Sequence, residues 1–343
     1  MNRTDFTFLT RSTNSCLLAL LIATFIISLP IAVAGDTLSI SVSTDKAEYA
    51  PGDNVYVNGT VMWIPHQIPA TDALVGIEVR NSLGNAFFFR TRPTGTIGTG
   101  NWLVNFTQLY PCGDVSGVPK YSFKRGENIW IYAQVENFDT AAHYAITCIA
   151  LTDANSVPLG AWYPMWGTIP AGETRAILFQ ATTIPSTAVN GNATIFASEY
   201  SEFPKNLGYP YCPEKATTII INGSTGAAPS RFMSQQAYLS SSGTYNTSFK
   251  LPSDELRRGA YTIFVSSYNQ GQLATSNMTF RIPLIGDINN DGSVDIFDAI
   301  IMSSAFGSQL GDPNFVPAAD LDSSGTIDVF DAIILASHYG DHD

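Results

Sequence analysis

Two kinds of hydrophobic pattern divide the chain. From about residue 37 to residue 282, apolar and polar residues alternate in short runs separated by turn residues, the period-two signature of half-buried strands. Leu38-Ser-Ile-Ser-Val alternates, Pro51-Gly-Asp turns, and Asn54-Val-Tyr-Val-Asn-Gly-Thr-Val-Met alternates again. The same layout recurs at Phe123-Lys-Arg-Gly126-Glu-Asn, which leads into Ile129-Trp-Ile-Tyr-Ala-Gln-Val, so two successive β-sandwiches are expected. The second continues through Tyr144 to Leu151 and Ala176 to Ile184, and ends near Ile219 to Ile221. Thr244 to Lys250, Tyr261 to Ser267 and Met278 to Ile282 read as three more strands. Fewer than 60 residues is short for a whole sandwich, so residues 225–282 are either a small third module or the completion of an earlier one.

Past residue 283 the pattern becomes helical, twice over. Asp295-Ile-Phe-Asp-Ala-Ile-Ile-Met-Ser-Ser-Ala-Phe-Gly307 and Asp328-Val-Phe-Asp-Ala-Ile-Ile-Leu-Ala-Ser-His-Tyr-Gly340 predict one short helix in two copies, each closed by a glycine in the C-terminal capping region. The expected fold class is mostly β, with two or three sandwich modules followed by a small α module of loop and helix repeats. The boundaries are 1–34 for a leader, 35–111 and 112–224 for the sandwiches, 225–282 for the ambiguous stretch and 283–343 for the tail.

Each helix is preceded by an acidic loop, and the two loops start 33 residues apart. A calcium ion takes six to eight oxygens, and a twelve-residue loop supplies them from its first, third, fifth, seventh, ninth and twelfth positions, with glycine sixth for the sharp turn. The first loop offers Asp287, Asn289, Asp291, the carbonyl of Ser293, Asp295 and Asp298 around Gly292. The second offers Asp320, Asp322, Ser324, the carbonyl of Thr326, Asp328 and Asp331 around Gly325. Both end in Asp where the usual loop has Glu, and the neutral Ser324 in the fifth place makes the second site the expected weaker one. A single Asp-rich loop is often only a solvated turn. Two in tandem, each with the same downstream helix, argue for two calcium sites.

No comparable helix precedes either loop, and loop-then-helix in duplicate resembles the type I dockerin family over residues 284–340. The resemblance implies a calcium-dependent module that binds a cohesin-type protein domain, in assemblies concerned with polysaccharide breakdown. It also implies that the tenth and eleventh loop positions, Ile296, Phe297, Val329 and Phe330, face the partner; helix packing is the other role open to them. The phrase Asp45-Lys-x-x-Tyr49-x-Pro-Gly-Asp-x-Val55 is similar to the opening of bacterial immunoglobulin-like and macroglobulin-type sandwiches, and the second β region is similar to the CARDB class of surface modules. In physical terms, a Tyr packs across a tight turn that feeds a core strand.

Charge is concentrated where the loops are. The chain has 17 basic and 29 acidic residues, yet residues 283–343 hold 11 Asp and no Lys, Arg or Glu, which leaves the rest of the chain at −1. Such a block repels itself unless cations neutralise it. With no basic cluster anywhere, nucleic acid is excluded as an expected partner. Arg3 and Arg11 precede an apolar run from Leu17 to Ala34 that closes on Ala32-Val-Ala34, the layout of a secretory signal, with a retained membrane anchor as the alternative. A secreted, cell-surface or extracellular protein is expected. Beyond the leader, six Asn-x-Ser/Thr sequons, at Asn58, Asn105, Asn192, Asn222, Asn246 and Asn277, all fall outside the tail. Of the cysteines beyond the leader, Cys112 and Cys212 lie in similar Tyr-rich turns and are the expected disulfide, with Cys148 a buried free thiol.

No catalytic constellation stands out: there is no Gly-x-Ser-x-Gly, no His-Glu-x-x-His and no phosphate-cradling loop. Acidic residues such as Glu199 and Glu202 read as a solvated surface pair. Trp162-Tyr-Pro-Met-Trp166, placed in a turn, could stack on sugar rings, although aromatic residues are more often core or edge packing. The expected protein is therefore non-catalytic and attaches to an extracellular complex or cell surface through its tail. A carbohydrate-binding module, or a polysaccharide hydrolase with its site hidden in the sandwiches, are the alternatives.

Overall fold

The computed structural model describes residues 36–95, 102–221, 243–253 and 256–342; the leader at 1–34, the sequon at Asn222 and the start of the 225–282 stretch lie outside them. No helix among the described residues is long and apolar enough to cross a membrane.

Six strands open the first sandwich: β1 (Thr37–Ile40), β2 (Ser43–Thr44), β3 (Asn54–Ile64), β4 (Ile68–Pro69), β5 (Leu74–Arg80) and β6 (Ala86–Pro93). Eight more form a second one: β7 (Val104–Cys112), β8 (Ser122–Phe123), β9 (Asn128–Asn137), β10 (His143–Thr152), β11 (Pro158–Ile169), β12 (Thr174–Thr183), β13 (Gly191–Tyr200) and β14 (Lys215–Ile221). Then come β15 (Thr244–Lys250), β16 (Gly259–Asn269) and β17 (Gln272–Ile282), and last the helices α1 (Ile296–Ala305) and α2 (Val329–His338).

Alternation in sequence becomes alternation in burial. In β9 the side chains of Ile129, Ile131, Ala133 and Val135 are fully buried while their neighbours face outward. Tyr49, whose hydroxyl donates to Asp45 at 2.6 Å, packs edge-on against Phe280 across the turn that leads into β3.

Residues 244–282 return to the first sandwich. β15 pairs antiparallel with β3 from Thr244 opposite Thr60 to Lys250 opposite Asn54, and β16 pairs with β5 from Thr262 opposite Arg80 to Ser267 opposite Val75. The sheet β1-β3-β15 faces the sheet β17-β16-β5-β6, and Val55, Val57, Ile77, Phe88, Phe249 and Ile263 share one core between them. The second sandwich is thus inserted between β6 and β15, and the three late strands complete the first. A boundary at 111/112 cuts through β7, which belongs wholly to the second sandwich because it pairs with β9 and buries Val104, Phe106 and Leu109 in that core. That core is closed by the five-stranded sheet β11-β10-β13-β14-β8 over the three-stranded sheet β12-β9-β7.

The two sandwiches meet on a polar and aromatic seam. β5 is buried along its whole length. Its Val75, Ile77 and Val79 face the first core, and Gly76, Glu78 and Arg80 alternate onto the other side. A Cβ at Gly76 would stand 2.7 Å from the ring of Tyr200, so only glycine admits that ring. Phe89, Ile146, Cys148 and Tyr200 form a small apolar cluster there, and the Tyr200 hydroxyl donates to the Arg90 carbonyl at 2.7 Å.

The expected Cys112–Cys212 disulfide is absent: Cys112, Cys148 and Cys212 are all free and buried. Cys112 ends β7 opposite Trp130 in the three-stranded sheet, whereas Cys212 precedes β14 of the facing five-stranded sheet. Burial pushes the Cys112 thiol up to about 11 and raises the other two as well.

Candidate metal centres and docking face

The tail is assembled around the eighth residue of each loop. Val294 and Ile327 are fully buried and pack with Leu284, Met302, Ala305 and Leu335. Their backbones cross over. Val294 exchanges hydrogen bonds with Gly340 and Asp341, beyond the second helix, and Ile327 with Gly307 and Ser308, beyond the first. Each loop is therefore held by the exit of the other repeat's helix, and neither repeat closes alone.

Within the loops the acidic side chains bond in the same way twice. Asp287 Oδ1 accepts from the Asp291 N–H and Oδ2 from the Gly292 N–H, both at 3.0 Å; Asp320 accepts from Ser324 at 3.0 Å and Gly325 at 2.9 Å. Asp298 accepts from Ile288, Asn289 and Asp295, and Asp331 from Leu321, Asp322 and Asp328, at 2.7 to 3.2 Å. Both of these carboxylates are fully buried. Gly292 and Gly325, at φ of 98° and 83°, make the sharp turn in the left-handed region that a side chain disfavours.

The ninth and twelfth positions serve the helices too. Asp295 caps α1 by accepting from Phe297 N–H while Asp298 reaches back to the Asp295 N–H, and Asp328 with Asp331 does the same for α2. One capping box thus sets both the start of each helix and the last part of each loop.

The donor set fits a hard cation. One oxygen each of Asp320, Asp322 and Asp331 lie within 4.8 Å of one another, close enough to share an ion. In the first loop Asn289 takes the place of Asp322, and its Nδ2 donates to Asp291 Oδ2 at 2.7 Å. Ser324 Oγ donates to the Thr326 carbonyl at 3.1 Å, drawing the fifth and seventh positions of the second loop together.

At the loop ends stand the four apolar residues suspected of facing a partner. Ile296, Phe297, Val329 and Phe330 are all more than half exposed, and so are Ile300 and Ile333 one turn further along. Helix packing therefore does not account for them; the helices bury their other sides, through Met302, Ala305 and Leu335.

Residues 285–338 match the family model of the dockerin type I domain. The tail is a dockerin type I module. No curated protein matches the chain. Among solved structures, the alkylpurine DNA glycosylase AlkC of Pseudomonas fluorescens, bound to DNA with an abasic site analog, aligns at 11% identity over 36% of this chain and 32% of its own, with a TM-score of 0.28. The C-terminal domain of wzt aligns at 11% over 37% and 77%, TM-score 0.29. The CARDB domain of PF1109 from Pyrococcus furiosus, in complex with di-metal ions, aligns at 13% over 36% and 97%, TM-score 0.24. The chain thus spans about a third of the glycosylase, and at these scores none of the three bears on function.

Two other candidates change place. Trp162 and Trp166 lie within β11, not in a turn: Trp162 packs edge-on to Phe179 against the second core, and Trp166 is 61% exposed. Glu199 is no surface residue. It is 1% exposed on β13, opposite Thr147 of β10, and neither of its oxygens has a hydrogen-bond partner among the described residues. Burial pushes its carboxyl up to about 8. Glu202 instead bonds locally to the Phe203 N–H and Asn206. Sequence reading missed Glu199 because an acidic residue in an alternating strand gives no sign of which face it takes.

Proposed function

We propose that this is a non-catalytic protein of an extracellular complex or cell surface, attached through its dockerin module to a cohesin-type domain in a calcium-dependent way. The observation that carries the reading is the duplicated exposed pair, Ile296 with Phe297 and Val329 with Phe330, each set at the end of an acidic loop and the start of a helix. Contiguous exposed apolar groups on a rigid element are what a protein interface uses as anchors. Calcium would supply the charge that relieves repulsion among the loop carboxylates, and would be held by Asp287, Asn289, Asp291, Asp295 and Asp298 with the Ser293 carbonyl, and by Asp320, Asp322, Ser324, Asp328 and Asp331 with the Thr326 carbonyl. Holding the loops fixes the helix starts through the capping boxes, and with them the apolar pairs. A polysaccharide-degrading context and secretion belong to the same reading.

The test is capture of a cohesin domain by the full chain in calcium and in chelator. Capture in calcium alone supports the reading, and capture in neither overturns it. The exposed Trp166, with Tyr163 on the same strand 43% exposed, favours a second reading in which the second sandwich binds a sugar ring. Loss of glycan retention on Trp166→Ala would establish it.

A further inference from the structure

The two calcium loops differ in one respect outside themselves. Arg281 of β17 donates through Nη2 to Asp287 Oδ2, and through Nη1 to the Asn290 carbonyl at 3.2 Å and Asn290 Oδ1 at 2.6 Å. Asn290 Nδ2 in turn donates to Glu48 Oε1 at 2.9 Å. The backbone of Arg281 is fixed by the first sandwich, through bonds to Ala47 and Tyr49. The ion pair is sheltered, with the Arg281 side chain 16% and the Asp287 side chain 0% exposed. Asp320, the matching residue of the second loop, has no ion pair among the described residues, and residues 283–343 contain no Lys or Arg to provide one. The carboxylates themselves do not rank the loops: the first has Asn289 and Asp291 where the second has Asp322 and Ser324, and the other ligand positions are alike.

We propose that Arg281 occupies the Asp287 carboxylate in place of a cation, so that it competes with calcium there and sets the calcium affinity of the first loop below that of the second. The inference rests on the calcium reading of the tail and reverses the ranking drawn from Ser324 alone. A guanidinium against Asp287 is most favourable while the loop carboxylates are bare, and less so once a dication neutralises them. A group that favours the metal-free state lowers metal affinity by the same factor, and by reciprocity calcium in the first loop weakens the hold of the first sandwich on the tail.

The experiment titrates calcium into the full chain by calorimetry, in competition with a chelator. In an Asp320→Asn background, which leaves the first loop, adding Arg281→Gln tightens binding about tenfold, whereas Arg281→Lys, which keeps the charge, stays near the parent. Hydrogen exchange at residues 287–298 without metal becomes faster in the Gln variant. The Asp287→Asn chain, which leaves the second loop, binds more tightly than the Asp320→Asn chain. Unchanged or weaker binding in Arg281→Gln, or a Lys variant that behaves like the Gln variant, overturns the role of Arg281. No calcium uptake by the unaltered chain overturns the calcium reading beneath it.

Discussion

Arg90 of β6 and Glu214, just ahead of β14, join the two sandwiches by a two-pronged ion pair, Nε to Oε2 at 2.7 Å and Nη2 to Oε1 at 3.0 Å. Their side chains are only 8% and 1% exposed, the Glu214 carboxylate also accepts from the Thr91 N–H, and Arg90 lies 3.7 Å above the ring of Phe196. Burying both charges is costly, but removing one leaves the other buried with no counter-charge. Glu214→Ala should therefore destabilise the chain by about 3–5 kcal/mol, while the paired change Arg90→Met with Glu214→Leu should recover most of the loss. Denaturant unfolding of the single and double variants measures both, and a Glu214→Ala chain as stable as the parent would remove this pair from the account of the seam.

Glu199 makes stability depend on pH. Its carboxyl ionises in the unfolded chain near 4.5 and in the folded chain near 8, because burial disfavours the charged form. Between those values the folded state keeps a proton that the unfolded state has released. The contribution is complete below 4.5, declines as pH rises, and is gone above about 8, with a limiting slope of about 1.4 kcal/mol per pH unit. Glu199→Gln keeps a neutral group of the same shape, so it should abolish that slope and be the more stable chain at high pH. Urea unfolding of both chains across that range tests this; parallel stability curves would mean that Glu199 is ionised in the fold.

How far the sequence carries depends on whether the deciding interaction is local. Strands β9 and β15 and both helices are legible because alternation, turn residues and capping groups sit within a few positions of one another. The loop ligands are legible for the same reason. The return of β15 to β3 is not, since its partner lies some 190 residues earlier and any edge of suitable polarity would read alike. Cys112 and Cys212 look alike in their local turns, and nothing local shows that the first ends β7 while the second precedes β14, each as a buried free thiol. Arg281 escapes notice because it is simply an outward position of β17 until the tail folds back against it.

Asp331 and Asp322 are both second-loop ligand candidates, yet the fold uses them differently. Asp331 is fully buried and accepts three backbone N–H groups, while Asp322 is exposed and accepts only from Ser324. Asp331→Ala should therefore melt the second helix and its loop even in chelator, by about 2 kcal/mol or more, as expected for losing an N-terminal cap and buried bonds to a charged group. Asp322→Ala should leave metal-free stability within about 0.5 kcal/mol and reduce calcium binding. Thermal melts by circular dichroism, with and without calcium, separate the two effects. Equal losses for both variants in chelator would show that the metal-free fold does not rest on the buried carboxylate.

Phe297 and Phe330 separate partner binding from metal binding. Each directly follows an apolar neighbour at the tip of its helix, its backbone N–H held by the capping Asp and its ring directed away from the tail's core. Truncating both to Ala removes the largest exposed apolar groups at these loop ends without touching a ligand oxygen or a buried contact. Calcium affinity and the helical spectrum should be unchanged, while affinity for a cohesin-type partner should fall by about 2 kcal/mol or more for each ring that anchors the complex. If one ring alone accounts for the loss, the repeats are unequal in docking; if each single variant is silent and only the double variant fails, either repeat suffices. Retention of full affinity by the double variant would move the docking face off the helix tips, and a parallel fall in calcium affinity would show that the rings act through the loops.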